Sequence, residues 1–144
     1  MHLVVDEVRE AIDVPVLSLL DVVGEALEEA GITKVGLLGT NFTMESDLYP
    51  EVLNPRGVQV LVPDAESRQE VNRVIYEELV ADRIIASSRA SYVQIIESLV
   101  SRGAEGVILG CTEIPLLVRS SDVEVPFFDT TRMHAEAALE SALA

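Results

Sequence analysis

Cysteine, lysine, histidine and tryptophan are nearly missing from this chain, and each scarcity excludes something. One cysteine in 144 residues rules out a disulfide framework. Two histidines with no companion thiols offer no zinc-type ligand spacing, so no metal and no metal cofactor is expected. No uninterrupted apolar run approaches the ~20 residues that a membrane span needs. No basic-then-apolar leader opens the chain, so a cytoplasmic protein is expected. Basic residues are few as well: Lys34 and nine arginines stand against 25 acidic side chains, a formal charge of −15. Nucleic acid and anionic membrane surfaces are therefore not expected partners, because both would be repelled.

What the chain does have is apolar material. Hydrophobic residues make up 49 % and mean hydropathy is +0.31, enough to bury a core at a length that suits one compact domain. The acidic, lysine-poor surface suits a protein kept soluble in concentrated salt, where self-repulsion is screened, and a halophilic host is the expectation. The competing reading is an ordinary acidic enzyme.

Short apolar runs alternate with amphipathic stretches, the pattern of an α/β protein with a parallel sheet flanked by helices. Strands are expected over Val14–Leu19, Lys34–Gly39, Val58–Val62, Gly106–Gly110 and Val125–Phe128. Each run is nearly continuous rather than alternating, as strands covered on both faces are. Helices are expected over His2–Ala11, Val22–Ala30, Thr43–Leu53, Ala65–Ala81, Ser91–Ser101 and Thr131–Ala142. Asp21 is the expected N-cap of the second and Gly31 its terminating glycine, while Pro50 should kink the third. No repeat, low-complexity tract or linker interrupts the pattern.

Three constellations fall at strand ends. Cys111 follows Gly-Val-Ile-Leu-Gly, and Thr112 and Glu113 come next, where ligands of open parallel sheets bind. A thiol beside a helix start gains thiolate stabilisation from backbone N–H groups, so its pKa is expected below the free value of ~8.5. The plainer reading is a small buried hydrophobe; Gly110, Thr112 and Glu113 count against it. Gly39-Thr40-Asn41-Phe42-Thr43 offers hydroxyls, an amide and open N–H groups that could cradle a carboxylate or phosphate. Thr43 could equally be an ordinary helix cap. The glycines are too few for a dinucleotide fingerprint, and no Gly-Lys-Ser/Thr follows. The third, Phe128-Asp129-Thr130-Thr131 with His134, reads by itself as a capping arrangement in which Thr130 or Thr131 starts the last helix.

Taken together, residues 36–40 with Thr43, Val-Ile-Leu-Gly-Cys-Thr-Glu (107–113) and Phe-Asp-Thr-Thr-Arg-Met-His-Ala (128–135) resemble the aspartate/glutamate racemase family, nearest its aspartate-racemase branch. Tyr76-Glu77-Glu78-Leu79 and Ser88-Arg89 also fall where that branch has similar residues. The likeness implies two pseudo-symmetric, flavodoxin-like α/β lobes with a cleft between them, one cysteine from each. It implies a cofactor-independent enzyme acting on a free amino acid such as aspartate or glutamate. By the same likeness Cys111 is the second-lobe thiol and Thr112 holds substrate beside it. Thr40, Asn41 and Thr43 form the loop that receives the α-carboxylate. Arg83, with Arg89 as the fallback, meets a distal carboxylate, and Glu113 supports; both arginines are alternatively solvated helix-end residues.

The resemblance also implies what is not here. Met1-His2 matches the end of a first-lobe motif, so an N-terminal truncation is expected, without the first cysteine and its arginine. Residues 1–20 would then be a first-lobe remnant, 21–119 the second lobe and 120–144 a segment returning to the first lobe. Racemisation removes a proton from one face of Cα and delivers one to the other, which takes a thiolate and a thiol on opposite sides. A chain with one cysteine furnishes one face, and weak or absent activity is expected. The alternatives are a single-cysteine decarboxylase of the same superfamily, or a non-catalytic truncated paralogue that oligomerises through uncovered strand edges. A homo-oligomer is expected.

Overall fold

The computed structural model describes residues 4–144. Four strands, β1 (Lys34–Leu38), β2 (Gln59–Leu61), β3 (Val107–Leu109) and β4 (Phe127–Asp129), form one sheet in the order β2-β1-β3-β4. All three pairings are parallel; Leu38 lies opposite Leu109, and Leu109 opposite Asp129. The helices are α1 (Val5–Ala11), α2 (Leu19–Glu29), α3 (Asn41–Glu45), α4 (Leu48–Leu53), α5 (Ala65–Glu77), α6 (Ala86–Ser101), α7 (Ile114–Leu117) and α8 (Thr130–Leu143). The expected α/β class with a parallel, helix-flanked sheet is what forms.

Each sheet face has its own core because successive side chains point to opposite sides. Val35, Leu37, Ile108 and Phe128 join Leu20, Val23 and Leu27 of α2 and Tyr49 and Leu53 of α4. Leu38, Val107 and Leu109 join Val71, Val74 and Ile75 of α5, Tyr92, Ile96 and Leu99 of α6, and Ile114 and Leu117 of α7. Strand order reverses between β1 and β3, so their carboxyl ends open onto the crevice where such sheets take ligands.

Several boundaries differ from expectation. Val14–Leu19 is no strand: α2 begins at Leu19, and the run before it is irregular, with Val14 65 % exposed. Pro15 has no N–H for a ladder, and no strand among the described residues lies beside this segment. Asp21 is not the cap of α2 but sits in its first turn, paired with Arg9 at 2.9 Å and Arg56 at 3.5 Å. Ser18 holds the cap position without a side-chain hydrogen bond. Gly31, at φ +68°, follows the helix as expected.

The expected Thr43–Leu53 helix is two. Thr40 caps α3, and Pro50 lies in the first turn of α4, where its missing N–H costs no intrahelical bond. The expected Ala65–Ala81 helix ends at Glu77 and continues as a 3₁₀ turn over Leu79–Ala81 to Asp82, a left-handed residue at φ +57°. Helix α6 starts at Ala86, five residues before its expected start at Ser91. The last helix is capped by Asp129, whose Oδ1 accepts from Thr131 N at 3.1 Å and Arg132 N at 3.2 Å, rather than by a threonine. His2 and the start of its expected helix lie outside the described residues. No described helix is long and apolar enough to cross a membrane.

Candidate active site

The site begins with two glycines at the ends of the central strands. A Cβ on Gly39 would stand 3.0 Å from Thr43 Cβ and Cγ2, and one on Gly110 would stand 3.1 Å from Leu38 O and 3.4 Å from Thr43 Cγ2. Their bare Cα atoms let α3 drop its third residue onto both strand ends. Gly110 N donates to Leu38 O at 2.7 Å, which carries the β1–β3 ladder to its last rung before Cys111.

Thr40 and Thr43 face each other. Thr40 Oγ1 accepts from Thr43 N at 3.3 Å, and the two hydroxyls are 3.2 Å apart. Asn41 N donates to Oδ1 of Asn72, on α5, at 2.9 Å. The Oδ1 atom of Asn41 itself is buried with no hydrogen-bond partner, an acceptor that normally costs free energy unless a donor meets it.

Cys111 is half-buried at the mouth of β3, packed against the core that Leu109 and Ile114 join. Its Sγ donates to Glu113 Oε2 at 2.9 Å. The expected lowering of the thiol pKa is overturned: it is pushed up to about 11, first by burial and then by the Glu113 side chain. The physical reason is that α7 has only four residues, and the charge nearest the sulfur is a carboxylate. The backbone N–H groups of Thr112 and Glu113 pull the other way, but less. Glu113 is correspondingly held below the ordinary carboxylate range, by the Cys111 thiol first and by the Thr112 hydroxyl next. Thr112 is exposed.

The loop between α5 and α6 reaches α7 at the carboxyl end of the sheet. Arg83 projects from that loop, and its guanidinium donates to the carbonyl of Glu77. Arg89, in the first turn of α6, donates from Nε to Leu117 O at 2.6 Å and braces α7. Their hydrogen bonds go to backbone carbonyls, not to the thiol or to the paired threonines. His134 is turned away and meets Leu17 O at 3.1 Å.

Other supporting groups escaped the sequence reading. Buried Thr130 donates from Oγ1 to Leu109 O at 3.0 Å, tying the start of α8 to the end of β3. Tyr92, fully buried, donates to Val71 O at 2.8 Å; its pKa is raised, by burial first and then by the negative potential of Cys111 and nearby carboxylates. Glu78 is buried with Oε1 on Arg73 at 2.8 Å and Oε2 on Ser88 at 2.6 Å, and its carbonyl takes the N–H groups of Ala81 and Arg83. Thr130, expected only as a cap, and Glu78 and Ser88 fall within the family-like segments, the one hint of them; nothing pointed to Tyr92.

A thiol and a carboxylate thus stand at the end of β3, and paired threonines follow the end of the neighbouring strand β1. The chain belongs to the Asp/Glu/Hydantoin racemase family, whose model matches residues 1–138. A candidate Asp/Glu racemase from Yersinia pestis superposes on all of this chain with a TM-score of 0.94 and 43 % identity. An aspartate racemase homologue from Pyrococcus horikoshii OT3 superposes on 99 % of it with a TM-score of 0.92 and 40 % identity. A glutamate racemase of Streptococcus equi subsp. equi is 34 % identical over 78 % of this chain. The chain spans 63 % of each of those two structures and 41 % of the streptococcal protein.

Proposed function

We propose that the chain forms the second lobe of a cofactor-independent amino-acid racemase, with Cys111 exchanging a proton at Cα of an acidic amino acid such as aspartate. The observation that carries this reading is the Cys111–Glu113 contact at the carboxyl end of β3, beside the switch point of the sheet. In the resting site the sulfur holds its proton under Glu113, so Cys111 is poised as the acid that delivers a proton to a carbanionic Cα. For the opposite direction the sulfur must first pass its proton to Glu113 Oε2, leaving a thiolate to act as base and a carboxylic acid beside it. Thr40, Thr43 and the unpartnered Asn41 Oδ1 receive the substrate's carboxylate and ammonium groups. Hydrogen bonds to the carboxylate spread carbanion charge where no PLP is used. Thr112 sits beside the reacting carbon, Arg83 takes a distal carboxylate, and Arg89 positions α7.

The remaining parts of the proposal concern assembly. The second lobe, expected over 21–119, also takes in β4 (Phe127–Asp129), and the segments that flank it present surfaces to a first lobe. The chain's one cysteine serves one face of Cα, so this chain by itself racemises poorly. It works in the cytoplasm and associates with a second copy, consistent with Phe42, Val80 and Leu116 standing exposed around the carboxyl end of the sheet. A non-catalytic, oligomerising binding module is the second reading, favoured by the same exposed apolar side chains, Phe42, Val80 and Leu116.

The deciding experiment is proton NMR of L- and D-aspartate in D₂O with the purified chain and its Cys111→Ala variant. Slow deuterium wash-in at Cα that vanishes in the variant is expected. No wash-in, or wash-in that survives the substitution, overturns the catalytic role. Rapid equilibration of the two enantiomers overturns the claim that one lobe is insufficient.

A further inference from the structure

Glu78 is the one charged residue buried among the described residues, at 5 % exposed. Burying a carboxylate is costly, and an apolar side chain of similar size would hold a core at least as well, so stability alone does not account for it. Its partners show what it fixes. Oε1 meets Arg73 Nη1, earlier on α5, at 2.8 Å. Oε2 accepts from the buried Ser88 hydroxyl at 2.6 Å, ten residues further on in the first turn of α6. One carboxylate thus pins both ends of the connection between the two helices.

The backbone of Glu78 sets the path between those ends. Its carbonyl accepts from Ala81 N at 3.0 Å and Arg83 N at 2.9 Å, around Leu79, which is buried in the core that Ile114 and Leu117 share. Asp82 takes φ +57°, a conformation that few non-glycine residues adopt and that surrounding structure must hold. Arg83 therefore leaves the chain at a fixed place, its guanidinium on the carbonyl of Glu77. Arg89, next to Ser88, bonds Leu117 O at 2.6 Å, so the same helix start braces the helix that follows Cys111 and Glu113.

We propose that Glu78 and Ser88 are positioning residues: by clamping the α5–α6 connection they hold Arg83 where it meets a substrate's distal carboxylate, and so set a preference for acidic over neutral amino acids. This role rests on the racemase reading, with Arg83 as the partner of that carboxylate. A connection ordered beforehand spares its ordering entropy when substrate binds, a gain received only by a substrate that uses Arg83.

The test is deuterium wash-in at Cα of L-aspartate and of its neutral isostere L-asparagine, with the full chain, Ser88→Ala, Arg83→Gln and the double variant. Ser88→Ala breaks the clamp and keeps the Glu78 charge. It should raise KM for aspartate roughly ten-fold, with kcat and the asparagine values changed by less than about two-fold. Arg83→Gln should do the same, and the double variant should be no worse than Arg83→Gln alone, a non-additivity that a general loss of stability does not produce. Amide hydrogen exchange at Ala81 and Arg83 should quicken roughly ten-fold in Ser88→Ala while that of β3 is unchanged. Equal losses for aspartate and asparagine, additive losses in the double variant, or unchanged exchange at Ala81 and Arg83 would overturn the proposal. An aspartate KM that Arg83→Gln raises and Ser88→Ala leaves alone overturns it with the racemase reading intact. No wash-in by the unaltered chain, or no effect of Arg83→Gln on aspartate, removes that reading and this role together.

Discussion

Thr43 lies against the Cα atoms of Gly39 and Gly110 together, so one threonine spans the ends of the two central strands. A Cβ on Gly110 would stand 3.1 Å from the carbonyl oxygen of Leu38, which is backbone and has little room to yield. Gly110→Ala is therefore expected to destabilise the protein by about 1–3 kcal/mol, the usual cost of overpacking a tight site. Urea denaturation followed by circular dichroism measures it. A change under about 0.5 kcal/mol would show that the strand ends are looser than described.

The raised thiol pKa makes a kinetic prediction. Alkylation of Cys111 by iodoacetamide should rise with pH along a curve centred near 11, far above the ~8.5 of a free thiol. Glu113→Gln removes the nearby charge and should move the midpoint down, leaving the part that burial contributes. A wild-type midpoint at or below 8.5 would refute the geometry.

The same shift acts on stability. Below about pH 8.5 the thiol is protonated in folded and unfolded chains alike, and its contribution is constant. Above that the unfolded chain releases the proton while the folded chain keeps it, so stability falls as pH rises toward 11. Cys111→Ala should flatten this part of the curve, measured as denaturation midpoints from pH 8 to 11.

Glu78 supplies a test at the acid end. Its pKa is lowered, by the Ser88 hydroxyl first and Arg73 next. That contribution is present above the ordinary carboxylate pKa of ~4.3 and is lost as pH falls through the depressed value. Arg73→Met leaves the buried carboxylate with Ser88 alone and should cost about 1–3 kcal/mol at pH 7. This is below the ~3–5 of a fully enclosed pair, because the Arg73 side chain is 40 % exposed. The deficit should shrink below about pH 4, when Glu78 takes up a proton.

Salt should stabilise the folded chain. A net charge of −15 with a single lysine repels itself, and ions screen that repulsion. Thermal midpoints are expected to climb with KCl. A monotonic fall above low salt would remove the inference of adaptation to concentrated salt.

Much of the architecture was legible from residue order because buried parallel strands need unbroken apolar runs. Lys34–Leu38 and Val107–Leu109 announce themselves by composition alone. Val14–Leu19 carries the same signal and fails, because a strand also needs a neighbour to bond, and none of the described strands lies there. Local chemistry pointed to Thr43 as a cap, since helix-compatible residues follow it, but the cap of α3 is Thr40. The interlock with Gly39 and Gly110 selects Thr40.

The order of the residues by itself determined the class of sheet, the placing of Cys111 and Thr40 at strand ends, and the acidic surface, since each follows from patterning along the chain. Only the packed structure decided the state of the thiol. Glu113 is two residues away along the chain, yet whether it or the backbone N–H groups dominates depends on how deeply the sulfur is buried. Burial belongs to the assembled core, where solvent is removed and a nearby carboxylate counts for more than it would in water.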